Sequence, residues 1–201
     1  MSDQIFWFAT RSSALISWLG AALSVLAGLM TSSRLLGRRP TIPWLVDVHR
    51  GLAGLSVAFL AVHLVSLYFD EFIQFGLAEL FVPWTASIPG LSDSSLAYGV
   101  IAFWLLVIVQ LTSLIRDRLS DDVWRTLHLL SFGVLGFGSL HAFQAGSDVG
   151  NPIVLGVAIS TLTAIGLLSL IRVVRLRSGG PTDPVDRRQL GVEPPVQARR
   201  R

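Results

Sequence analysis

The sequence has no cysteine among its 201 residues, which excludes disulfides, thiolate zinc sites, iron–sulfur clusters and thiol nucleophiles. Lysine is absent too, so all sixteen basic residues are arginine. Charged residues of any kind make up 14% against 52% hydrophobic, too little charge for a soluble domain of this size. A formal charge of +3 would suggest a nucleic-acid partner in a soluble protein. Here the arginines stand between apolar segments and in the tail, so a topology signal is the simpler reading and no nucleic-acid partner is expected. No G-x-G-x-x-G follows a strand, and Gly133, Gly136 and Gly138 do not fit that fingerprint. Residues 1–11 lack a basic n-region and no A-x-A-like site follows, so the first apolar run is read as retained.

What the sequence does have is long apolar runs. About 20 apolar residues cross a bilayer core, and five runs qualify, at about 12–34, 44–68, 96–115, 121–145 and 152–172. Pro40 and Pro43 break the chain between the first two, Ser120 can cap the fourth with Asp121 and Asp122 in its first turn, and Pro152 suits the start of the fifth. The segment FIQFGLAELFVPW is too short to span and is expected to lie over one end of the bundle, with Trp84 at headgroup level. The expected fold is therefore an all-α integral membrane protein, a five-span helical bundle over residues 1–175 in a lipid bilayer. Residues 176–201, rich in Gly, Pro and Arg, are expected to form a disordered basic tail.

Fifteen of the sixteen arginines fall in the loops after spans one and three, in the first turns of spans two and four, or at and beyond the end of span five. By the positive-inside rule those regions are cytoplasmic. The expectation is a multi-pass plasma-membrane protein with its N-terminus outside and its C-terminus in the cytoplasm. Spans two and four then run parallel.

The chain's four histidines lie on those two spans. His49 and His63 are 14 residues apart, and His128 and His141 are 13 apart. Fourteen residues are about four helical turns and roughly 21 Å of rise, so His49 and His63 leave one face. In parallel spans His49 matches His128 in depth, and His63 matches His141. Some of these can be core histidines bonded to a carbonyl, but a histidine inside a membrane helix is by default a functional candidate. Each level offers two imidazoles and no thiolate, and the one embedded carboxylate, Asp47, points away from His49. Zinc wants three or four protein ligands, whereas haem iron takes two axial ligands from facing helices. Two b-type haems, one above the other, fit this donor set. At about 100° per residue, thirteen residues leave His128 and His141 out of phase by roughly 140°, so the fourth span must bend or tighten, with Gly133, Gly136 and Gly138 placed to allow it. These glycines, like Gly51 and Gly54, suit either a macrocycle against the backbone or close helix packing. Candidates to hold propionates are Arg50, Arg125 and Arg34 on the inner side and Arg11 on the outer. Trp44, Trp84 and Trp124 are read as interfacial belt residues.

The stretches WFATRSSAL, HRGLAGLSVAFLAVH and WRTLHLLSFGVLGFGSLH resemble the ferric reductase-like transmembrane domain family, which includes ferric reductases, the membrane part of NADPH oxidases and the haem subunit of a bacterial methionine sulfoxide reductase system. The resemblance covers about residues 6–148. It implies that His49 and His128 hold an inner haem, that His63 and His141 hold an outer one, and that Arg11 stands beside the outer haem. The family core usually has six spans, and here the first is missing. Larger members add a cytoplasmic flavin and nicotinamide domain, for which this tail is too short. The resemblance thus implies an electron-transfer subunit of a reductase, fed by a separate flavoprotein, quinol or FMN-binding partner, and leaves open whether the chain is itself an enzyme. No side chain is singled out as catalytic. The rival readings are a transporter or proton channel using the histidines without haem, and a structural subunit without cofactor. The absence of embedded acids beyond Asp47, and of a paired set of broken helices, weakens the first rival.

Overall fold

The computed structural model describes residues 2–32, 43–70 and 75–177. Its elements are α1 (Ser2–Ser32), α2 (Pro43–Tyr68), the short α3 (Leu77–Phe81), α4 (Asp93–Leu114), α5 (Asp121–His128), α6 (Leu130–Ala145) and α7 (Pro152–Arg177), with a 3₁₀ turn at Arg116–Arg118. Among the described residues there is no strand. Among the described residues, five stretches are long and apolar enough to cross a membrane: Gln4–Ser32, Pro43–Tyr68, Asp93–Leu114, Asp121–Ala145 and Pro152–Arg175. The chain is an all-α, multi-span membrane protein. Arg34, Pro40 and the tail from residue 178 lie outside the described residues.

Two helix ends differ from the sequence expectation. The first helix begins at Ser2 rather than near Ser12, and carries Arg11 inside it. It can do so because Arg11 has an ion-pair partner, Asp148, which offsets the cost of a lone cation in an apolar helix. The last helix runs to Arg177, with Arg175 and Arg177 in its final turn, where cations suit the negative end of the helix dipole.

The bundle is built from two helical hairpins. In the first, α1 lies along α2, and its contacting face carries small residues: Ser17, Gly20, Ser24 and Gly28. Small residues let membrane helices approach backbone to backbone. A Cβ added at Gly20 would meet Leu52 O at 3.3 Å and Ser56 Cβ at 3.4 Å. At this close approach Ser17 and Ser56 exchange hydrogen bonds, each hydroxyl donating to the other's carbonyl at 2.9 Å. Seven residues along α1 from Ser17 is Ser24, whose carbonyl meets His49, seven back from Ser56. Seven the other way is Thr10, whose carbonyl meets His63, seven on from Ser56. The hairpin thus keeps a heptad register, the period of helices that wrap gently around one another.

In the second hairpin α4 lies along α5 and α6. An added Cβ at Gly133 would meet Leu105 at 3.0 Å, so this glycine serves helix packing, whereas one at Gly138 would meet Ala102 only at 4.0 Å and Gly138 borders the cavity. The hairpins and α7 join around Ala22, Leu29, Leu135 and Ile165, which are buried together. Trp18 donates its indole N–H to Ser139 Oγ at 3.0 Å, tying α1 to α6.

The fourth span tightens, as its histidine spacing requires, but not at its glycines. The helix breaks at Leu129, directly after His128. The Leu129 N–H is shared between the carbonyls of Arg125 and Thr126, both at 3.2 Å, and the Phe132 N–H reaches back to Leu129 at 3.1 Å. Such i to i−3 bonds mark a local 3₁₀ turn. Leu129 has φ −63° and ψ −20°, ordinary right-handed backbone, so no glycine is needed. Ser120 caps α5 by accepting from the Val123 N–H at 3.4 Å.

Candidate functional site: two facing histidine pairs

The four histidines come together as two pairs. At the arginine-rich end, the His49 and His128 rings face each other with centroids 5.9 Å apart and planes at 63°. At the other end, His63 and His141 line one cavity of about 380 Å³. Two imidazoles that each bind a metal at about 2 Å would place their centroids roughly 6 Å apart, so the first pair already has the separation of two axial ligands.

The outward nitrogens decide what each ring can do. His49 Nδ1 donates to Ser24 O at 2.8 Å, His63 Nδ1 to Thr10 O at 3.0 Å and His141 Nδ1 to Ser95 O at 2.8 Å. A carbonyl only accepts, so in these three rings the proton sits on Nδ1 and the Nε2 lone pair is left for a ligand. His128 Nδ1 has a longer contact, 3.5 Å, to Ser113 Oγ. That hydroxyl already donates to Val109 O at 2.7 Å, so its lone pairs face the ring. All four rings are therefore held by one nitrogen and open at the other, the arrangement of metal-binding histidines. Their acceptors come from the hairpin partners: α1 serves α2, and α4 serves α5 and α6.

Two glycines make room for these rings, and the sequence reading did not single them out. A Cβ at Gly28 would touch the His49 ring at 3.4 Å, and one at Gly99 would press the His141 ring at 2.9 Å. By contrast, an added Cβ at Gly51, Gly54 or Gly136 meets nothing within 4 Å. Those three neither pack a helix closely nor border a described side chain.

The cavity is walled mainly by apolar side chains and roofed by the segment after α2. Phe75, Leu80, Ala86 and Ile88 from that segment line it. The roof is pinned where Trp104 donates to Phe81 O at 2.8 Å. The short apolar stretch thus folds over the end of the bundle. In the cavity wall the Thr10 hydroxyl is buried with no hydrogen-bond partner among the described residues.

Arg11 also lines this cavity, as does Asp148 from the turn between α6 and α7. Arg11 Nε donates to Asp148 Oδ2 at 3.0 Å, a second nitrogen reaches Oδ1, and the guanidinium lies 4.0 Å over the Trp7 ring. Sequence reasoning placed Arg11 here but missed Asp148. A lone carboxylate in the short turn AGSDVGNP, on the same side as a lone arginine, was the available signal. Arg50 and Arg125 are exposed near the His49 and His128 pair, and Arg34 lies outside the described residues. Trp44 and Trp84 are 57% and 61% exposed, as belt residues are. Trp124 differs: its ring stacks on His128, with centroids 4.9 Å apart and planes at 25°. Among the described residues no group of three or more His, Asp or Glu comes together as a metal cage.

A family model described as ferric reductase like transmembrane component covers residues 5–138, a span that contains three of the four histidines and Arg11. No curated protein and no solved structure matches the chain.

Proposed function

The chain belongs to the ferric reductase-like transmembrane component family, whose members bind haem and move electrons in membranes, and from that premise we propose that residues 1–175 form a di-haem b electron-transfer subunit of a plasma-membrane reductase. His49 and His128 hold the inner haem, and His63 and His141 the outer. The observation that supports this reading is the set of Nδ1 contacts, which leaves Nε2 for a ligand on His49 and His128, 5.9 Å apart, and on His63 and His141, which line one cavity. A bound haem supplies one-electron transfer at its edge.

The chain's own residues do the rest. Backbone carbonyls of Thr10, Ser24 and Ser95 fix tautomer and ring direction, raising the basicity of the ligating nitrogen. With both histidines of a pair committed to it, a bound haem would disfavour dioxygen at the iron and would supply electron transfer at its edge instead. The apolar wall and the roof keep water from the outer pair, and Arg11, Arg50 and Arg125 are the cations for propionates, with Arg34 a further inner candidate from the sequence. The arginine distribution supports an outside N-terminus and a cytoplasmic C-terminus. Electrons then enter from a separate cytoplasmic flavoprotein or quinol and leave to an outer acceptor.

The visible spectrum of detergent-purified protein tests this. A Soret band that shifts on dithionite, with sharp α and β bands and about two haems per chain, is the expected result. Colourless protein after expression with added haem precursor would refute it and leave the histidines as candidate proton carriers.

A further inference from the structure

We infer that Trp124 is the positioning residue for the His128 imidazole, and that its indole N–H is the donor for a carboxylate oxygen of the group that His49 and His128 hold. This rests on the haem reading above. Three observations meet at this side chain. The first is the stack: Trp124 precedes His128 by four residues, one turn of α5, and its ring lies on the imidazole at 4.9 Å and 25°. On the same indole, Arg116 places its guanidinium 4.7 Å from the ring centroid. The indole is thus held both by a cation and by the imidazole, and is not free to swing toward headgroups.

The second is how weakly His128 is held otherwise. His49, His63 and His141 donate to backbone carbonyls at 2.8, 3.0 and 2.8 Å. The His128 contact is to a rotatable hydroxyl at 3.5 Å, the limit of a hydrogen bond. A single long contact does not set a ring plane. The flat indole against it does, because the ring planes are nearly parallel.

The third is the indole nitrogen. Nε1 of Trp124 is buried and has no hydrogen-bond partner among the described residues. A tryptophan at a membrane boundary ordinarily turns this N–H to water or headgroups, as the exposed Trp44 and Trp84 are free to do. A buried donor without an acceptor is costly, so the site is completed by an acceptor that arrives with the ligand. An acceptor suited to a lone N–H on an indole that already carries the Arg116 guanidinium over its ring is anionic, and haem brings two carboxylates.

Phenylalanine and leucine at this position separate the two roles. Trp124→Phe keeps a ring to stack but no donor, and Trp124→Leu removes both. The readouts are the electron paramagnetic resonance of the ferric low-spin haems, whose g-values report the mutual angle of the axial imidazoles, and a potentiometric titration. In Trp124→Leu the largest g-value of one haem should move while the other stays. Trp124→Phe should keep wild-type g-values yet change the oxidised-to-reduced ratio of that same haem, at its wild-type midpoint, at least threefold. Unchanged g-values and ratios in both variants would overturn the inference, as would a g-shift in Trp124→Phe equal to that in Trp124→Leu. Wild-type protein without any low-spin haem signal would instead refute the function proposed above, and this inference with it.

Discussion

Replacing Gly99 by alanine should empty the outer site while leaving the helix sounder than before. A Cβ at this position would stand 2.9 Å from His141 Nδ1, 3.0 Å from Cε1 and 3.1 Å from Cγ. Ordinary heavy-atom contacts begin near 3.5 Å, so the imidazole must retreat by roughly 0.5 Å. Retreat stretches the 2.8 Å bond from Nδ1 to Ser95 O, and a lost hydrogen bond of this kind is worth about 0.5–1.5 kcal/mol net. A ring pushed off its rotamer costs about as much again. The sum, about 1–3 kcal/mol, corresponds to roughly 5–150-fold weaker binding at about 1.4 kcal/mol per tenfold, a range that spans the cost of losing a ligand's supporting contact. Meanwhile alanine is favoured over glycine inside a helix by about 1 kcal/mol, so the fold itself has no reason to suffer. The assay is haem per protein by pyridine haemochrome at limiting haem, with the thermal melt alongside. Gly51→Ala, where an added Cβ meets nothing within 4 Å, is the control and should retain two haems. A Gly99→Ala protein that binds both haems as tightly as wild type, with an unshifted spectrum, would refute the argument that the α4 surface sets the His141 ring.

Other outcomes follow from the same geometry. His63→Ala and His141→Ala should each lose one haem and keep the other, read as a halved Soret absorbance per chain; retention of both haems would break the ligand pairing. Asp148→Asn removes the negative partner of Arg11, leaving a net positive charge at the cavity. Reduction adds an electron there, so the outer haem's midpoint potential should rise, by roughly a tenfold change in its oxidised-to-reduced ratio if the effective charge separation is about 10 Å and the dielectric near 20; an unchanged or lowered potential contradicts this. Ser56→Leu puts a large side chain where the residue is 1% exposed between α1 and α2, and overpacking of this kind costs about 1–3 kcal/mol. Because wedging the hairpin moves Ser24 O and Thr10 O away from both α2 histidines, the melt in detergent should fall and both haems should bind more weakly.

The five spans were legible because a bilayer demands long apolar runs, and composition alone exposes them. The pairing of the histidines followed from arginine counts and helical periodicity, both local properties of the chain. What stayed hidden depends on contacts between helices. Leu129 carries the break because a 3₁₀ turn needs no special residue, so nothing at that position announces it. Trp124 has the composition signature of a belt residue, and only its neighbours His128 and Arg116 give it another place. Gly28 and Gly99 look like any small residue in a membrane helix until the imidazoles on α2 and α6 are set against them. One signal was there to be read: Thr10, Ser17 and Ser24 step by seven, as do His49, Ser56 and His63, which in an antiparallel hairpin fixes the register residue by residue.

That register explains why the site tolerates plain residues as partners for its histidines. In three of the four rings the acceptor is a backbone carbonyl, which every residue has. Side-chain identity at Thr10, Ser24 or Ser95 therefore matters less for the bond than how close the two helix backbones come. Closeness is set by the small residues between them, above all Gly20 and the pair Ser17 and Ser56, whose mutual hydrogen bonds lock the hairpin midway between the two histidine levels. Two heptads of α2 then separate those levels by about 21 Å along the helix. Their spacing across the membrane is thus a property of α1 and α2 packing as a unit, with the ligands at either end following from it.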